Sequence, residues 1–204
     1  RGLGQDNVLG LIMPCESSRE DTQDGIRIAE HLGIGFRQMD LTPVLEEFIN
    51  AGGLSRDDVL GLANIKSRWR MTMLYASSND RLVLGTSNYS EILVGYWTKW
   101  GDGAADILPI GRLYKNEVVE LATWLGLPEW ILERTPSAGL WPGQSDEEEM
   151  GITYDHIRAY FQGSEIPETS SDIIDRMVRS SSHKRNPIPC FSAREWMEEN
   201  VKQS

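Results

Sequence analysis

Short apolar runs alternate with stretches of helical periodicity along most of the chain. Residues 8–14, VLGLIMP, are nearly all apolar, as suits a strand buried in a sheet. EDTQDGIRIAEHLG follows, with Ile26, Ala29 and Leu32 at helical spacing and Gly33 placed as a stop. GFRQMDL is a second strand candidate. TPVLEEFINAG then opens a helix with Thr42 as cap and Pro43 at its first helical position. Residues 57–79 form a long helix, and residues 81–85 a third strand. KNEVVELATWLGLP puts Val118, Leu121, Ala122 and Leu125 on one face, near which Trp124 is expected in the core. TYDHIRAYFQG and SSDIIDRMVRSSSHK are further helices. Strands alternating with helices imply βαβ units and a parallel sheet covered on both faces, an α/β fold.

The stretch from Leu82 to Pro109, LVLGTSNYSEILVGYWTKWGDGAADILP, changes character halfway. A buried-type strand ends at Gly85 and polar groups crowd in behind it. In open α/β sheets, ligands bind beyond the carboxyl ends of the strands, which is where Thr86 to Glu91 falls. Thr86 suits a hydrogen bond to adenine or ribose. Glu91 is either a hard oxygen ligand for magnesium or a first-turn acid favoured by the helix dipole. Lys115 opens the next helix, where the dipole favours an acid; it is either a solvated lysine or a phosphate contact. Lys99 and Asp106 flank WGDGA, and Trp97 and Trp100 either pack or line a flat ligand. Two basic groups, Lys66/Arg68/Arg70 and His183-Lys184-Arg185, are candidate anion sites. RTPSAGLWPGQSDEEEMG reads as a solvated loop or a lid.

Composition narrows the class. The 204 residues suit one domain spanning 1–204, and no apolar run approaches the roughly 18 residues of a membrane span. Cys15 and Cys190 lie far apart, without metal-ligand spacing. The net charge of −11 argues against nucleic acid, whose phosphates need clustered Lys and Arg. A cytoplasmic location is expected. No Ser-His-Asp array, zinc cluster or GxGxxG is present. The residues alone lead to an α/β protein with a nucleotide site after the Leu82 strand.

Taken together, NIKSRWRM, LGTSNYSEILVGYWTKWGDGAADILPIGRLYKNEV, LGLPEWILERTPSAGLWPGQSDEEEMGITYDHI and HKRNPIP resemble the ammonia-dependent NAD synthetases, in the same order and over about two-thirds of the chain. The resemblance implies a flavodoxin-like, doubly wound, mostly parallel sheet of the ATP pyrophosphatase (adenine nucleotide alpha hydrolase) type. It also implies a homodimer that amidates deamido-NAD to NAD with ATP and ammonia. By the same resemblance, Thr86, Lys115 and Ser137 contact ATP, and Glu91 binds magnesium. Arg68, Lys99, Asp106, His183 and Lys184 hold deamido-NAD. The family's Ser-Gly-Gly-x-Asp-Ser loop is missing from the sequence, which is expected to lack the family's first strand and pyrophosphate loop, and so to be inactive by itself. Arg112 also departs from the family pattern. The alternatives are another amidating ATP pyrophosphatase, or a nucleotide-binding or dimerisation remnant.

Overall fold

The computed structural model describes residues 2–141 and 143–194. A 3-10 turn at Gln5–Asn7 leads into strand β1 (Leu9–Ile12). Helix α1 (Arg19–Leu32) crosses over to β2 (Gly35–Gln38), which pairs parallel with β1 from Leu9↔Gly35 to Ile12↔Gln38. The crossover packs on both strands, as a βαβ unit requires. Ser18 caps α1, its Oγ accepting from the Asp21 amide at 2.9 Å, and Gly33 ends the helix in the left-handed region at φ 65°.

Helix α2 (Thr42–Gly52) departs from expectation at its start: Thr42 is the first helical residue, not the cap. Asp40 Oδ1 takes the Thr42 amide at 2.9 Å, and Thr42 Oγ1 accepts from the Glu16 amide at 3.0 Å instead. Helix α3 (Val59–Ser78) is capped by Asp58, whose Oδ1 accepts from the Gly61 amide at 2.9 Å. The third expected strand is shorter than read. Residues 81–85 contribute one isolated parallel bridge, Leu84↔Ile107, with Gly85 N donating to Ile107 O and Asp106 N to Val83 O, both 2.9 Å. A ladder needs an extended neighbour in register, and local pattern cannot supply it.

Helices α4 (Tyr89–Val94), α5 (Lys115–Trp124), α6 (Glu129–Leu132), α7 (Asp146–Met150), α8 (Tyr154–Phe161), α9 (Glu168–Ser180) and α10 (Ser182–Arg185) complete the described chain. Two cores hold it. One gathers Cys15, Leu41, Leu45, Ile49 and Leu62; the other gathers Val94, Met150, Ile152, Tyr154, Ile157 and Ile174. Burying a side chain such as Leu45 or Ile157 contributes about 1.5–3 kcal/mol. Trp124 is not core but 80% exposed. It stands about 100° round the helix from Leu125, off the apolar stripe.

Candidate functional site

A cleft of about 880 Å³ opens between two backbone edges. Leu11 and Met13 line it from the β1 side; Val83, Leu84 and Gly85 line it from the other. Among the described residues β1 pairs only with β2, and the backbone of residues 83–85 bonds toward 106–107. Past Gly85 the lining turns polar, with Thr86, Glu91, Lys115, Ser137, Asp146 and Glu149. Gly85 is needed at the bend, because a Cβ there would lie 2.6 Å from Ala105 Cβ.

Of the two roles that its sequence position left open, Glu91 takes that of the first-turn acid. It is the third residue of α4 and closes a capping box: Asn88 Oδ1 accepts from the Glu91 amide at 3.1 Å, and Glu91 Oε2 accepts from the Asn88 amide at 3.0 Å. The other oxygen, Oε1, faces the cleft. It accepts from Asn88 Nδ2 at 2.6 Å and from Lys115 Nζ at 3.2 Å, with Tyr154 Oη at 3.4 Å. Burial pushes the Glu91 pKa up, and the Lys115 ammonium works against that shift. The cation at the start of α5, unfavourable for that helix, is thus explained by a carboxylate opposite it.

The donor chemistry suits magnesium in one limited way. Glu91 offers a hard carboxylate oxygen in a cleft roomy enough for phosphates, and magnesium characteristically takes one or two carboxylates with phosphates completing its shell. No group of three or more His, Cys, Asp or Glu able to hold a metal occurs among the described residues.

Behind Glu91 stands a network that the sequence reading passed over. Tyr154 Oη donates to Asp146 Oδ2 at 2.8 Å. Tyr96 Oη lies 3.3 Å from Asp146 Oδ1 and 2.6 Å from Glu149 Oε2. Burial, reinforced by the neighbouring carboxylates, holds both phenols protonated well above their ordinary range. Asp146 is only 4% exposed, although it begins a run of four acids that reads as surface. The available signal was the aromatic at position 154, which belongs to the apolar stripe of α8 and carries a hydroxyl that needs a partner.

The five residues assigned to the dinucleotide divide. Lys99 Nζ donates to the His183 carbonyl at 2.7 Å and lies 3.3 Å from His183 Nδ1, while Arg68 holds the Lys99 carbonyl through Nε and Nη2, both 3.2 Å. Lys184 Nζ donates to the carbonyls of Gly95 (2.7 Å) and Trp97 and reaches the cleft; burial lowers its pKa. Asp106 sits apart from these four in bonding. It accepts from the Val83 amide at 2.7 Å and lies 3.3 Å from Tyr75 Oη. Trp97 lines the cleft, whereas Trp100 is largely exposed. The Lys66/Arg68/Arg70 group makes no common anion pocket. Lys66 pairs with Glu16 at 2.8 Å and donates to the Leu140 carbonyl at 3.0 Å, and Arg70 holds Met13 O and Ser17 Oγ. Asp102 braces the glycine-rich turn, accepting from Ser67 Oγ at 2.7 Å and from the Thr98 amide at 3.0 Å.

Comparison with known proteins gives this geometry a context. The family model described as NAD synthase matches residues 1–188. The NH(3)-dependent NAD(+) synthetase of Pyrococcus horikoshii is 44% identical, over 94% of this chain and 80% of that protein. The one from Carboxydothermus hydrogenoformans is 46% identical, over 88% and 76%. Among solved structures, the NMN synthetase of Francisella tularensis superposes with a TM-score of 0.85 at 37% identity, covering 90% of this chain and 78% of that one. The NH3-dependent NAD synthetase of Campylobacter jejuni gives 0.76 at 26%, covering 92% and 79%. With its parallel strands, crossover helix and cleft beyond the strand ends, the chain belongs to the NAD synthase family.

Proposed function

We propose that the protein joins ammonia to the carboxylate of deamido-NAD, driven by ATP, through an adenylated intermediate. The observation that carries this reading is the Glu91–Lys115 pair facing a roomy cleft at the end of the Gly85 segment. A carboxylate is a poor electrophile for ammonia. One of its oxygens attacks the α-phosphorus of ATP and pyrophosphate leaves. Ammonia then attacks the activated carbonyl, AMP departs with that oxygen, and the amide of NAD remains.

The residues divide this work. Lys115 steadies phosphate charge, while Thr86 and Ser137, both of which line the cleft, bind the nucleotide. Glu91 would hold a magnesium ion, which offsets phosphate charge. Arg68, Lys99, Asp106, His183 and Lys184 would hold the dinucleotide. Exposed Trp124, Leu82, Phe191 and Ile188 suit a homodimer, which light scattering would place at 46 kDa, twice 23.0 kDa; 23 kDa would contradict it. No described helix is long and apolar enough to cross a membrane, in keeping with a cytoplasmic enzyme.

One structural relative is named an NMN synthetase, so the mononucleotide is the competing substrate. The curated relatives, named NAD(+) synthetases at 44% and 46% identity, favour the dinucleotide. Assays with ATP, ammonia and either deamidated nucleotide decide between them. NAD formation at the higher kcat/KM is expected, and a preference for the mononucleotide would overturn the assignment.

A further inference from the structure

Lys66 does not itself line the cleft, although its neighbours Ala63, Asn64, Ser67 and Arg70 on α3 do. Its ammonium meets two segments that are far apart in sequence. Nζ stands 2.8 Å from Glu16 Oε2, in the turn after β1, and donates to the Leu140 carbonyl at 3.0 Å, in the loop between Pro136 and Asp146. On the first side, Glu16 sits at φ 52°, a left-handed backbone that a non-glycine residue keeps only where its surroundings fix it. Arg56 holds the other Glu16 oxygen at 2.8 Å, and Arg70, on the same face of α3 as Lys66, holds Met13 O and Ser17 Oγ. On the second side, the Gly139 amide donates to Ser137 Oγ at 3.1 Å and the Leu140 amide to Gln144 Oε1 at 2.9 Å, both within the loop. The far end of the loop is held separately, Gln144 by Glu149 and Asp146 by Tyr96 and Tyr154. Among the described residues, Lys66 supplies the one hydrogen bond that ties 137–141 to a residue outside the loop.

We infer that Lys66 is a positioning residue for the nucleotide: its ammonium sets the 136–146 loop, and with it Ser137, against the turn after β1. Ser137, Ala138, Leu140 and Trp141 all line the cleft, so the place of one carbonyl decides how that stretch of wall stands. The donor is charged, which makes the bond roughly twice as strong as one between neutral groups. Glu16 offsets the charge, so the ammonium is kept in the interior and still donates to Leu140. Without the ammonium that stretch is free to leave the wall, and ATP must order it on binding. The apparent affinity then falls with the fraction of molecules in which the wall is already in place. This inference rests on the reading of the cleft as the ATP site.

Lys66→Met keeps the apolar stem and removes the ammonium, while Glu16 retains Arg56 as its partner. Lys66→Gln leaves a polar head in the same place, and decides the matter if the first variant does not fold. The measurements are amide hydrogen exchange at Gly139 and Leu140, and calorimetric titration with ATP and, separately, with deamido-NAD. Either variant should exchange the two amides about tenfold faster and bind ATP with a Kd raised about tenfold, the scale of one lost hydrogen bond to a charged group. The Kd for deamido-NAD and the stoichiometry of ATP binding should stay as they are in the unsubstituted protein. A merely structural role would instead lower the stoichiometry, as less protein folded, and leave the Kd for ATP where it was. That result, unchanged exchange in the loop, or equal weakening of both ligands would overturn the inference while leaving the ATP site intact. Failure of the unsubstituted protein to bind ATP would remove the functional reading, and this inference with it.

Discussion

Lys66 carries its ammonium into the interior, with 8% of its side chain exposed, and is held there by Glu16 and the Leu140 carbonyl. Lys66 and then Arg56 hold the Glu16 carboxyl below its ordinary value of 4.5. A carboxylate whose folded pKa is depressed contributes stability above its unfolded pKa and loses it as pH falls through the folded value. Glu16→Gln should therefore cost about 1–3 kcal/mol at pH 7, since it leaves a buried ammonium poorly paired. The difference in melting temperature should close as the pH is lowered below 4.5. A gap that stays constant into acid would show that the pair contributes nothing ionic. At this scale Thr86 and Glu91 were legible as candidates because polar residues directly after a buried-type strand are placed by the fold itself, and Lys115 because a cation at a helix start calls for a partner. Asp146 and Tyr154 were not. A carboxylate in an acidic run reads as solvated until a hydroxyl from another helix is seen to bury it.

Helix ends show how local chemistry and tertiary context share control of an element. Ser18, Asp58 and Gly33 act as local rules require, whereas Thr42 is itself the first helical residue, with Leu41 at the cap position and the Asp40 carboxylate accepting from the Thr42 amide. Residues 81–85 reduced to a bridge because strand pairing depends on neighbours distant in sequence. Gly95 ends α4 at φ 71°, and a Cβ there would collide with the Ser181 side chain, itself bonded to the Val94 carbonyl at 3.0 Å. Gly95→Ala combines a left-handed backbone with overpacking, and about 2–4 kcal/mol of destabilisation is expected. Denaturant titration measures it. An unchanged midpoint would mean that α10 can draw back from α4 without loss.

Over the whole molecule, strand β1, a polar strand end and the loop that ends at buried Asp146 meet in one cleft. A net charge of −11 coexists with Lys115 and Lys184 lining the cleft, a contrast the net charge alone conceals. The most direct test of the adenylation chemistry follows oxygen from substrate to product. Deamido-NAD labelled with oxygen-18 in its reacting carboxylate is converted with ATP and ammonia, and the products are weighed by mass spectrometry. If the carboxylate attacks the α-phosphorus, each AMP carries one labelled oxygen and pyrophosphate carries none. Label in pyrophosphate or orthophosphate, or unlabelled AMP accompanying NAD, would contradict the account.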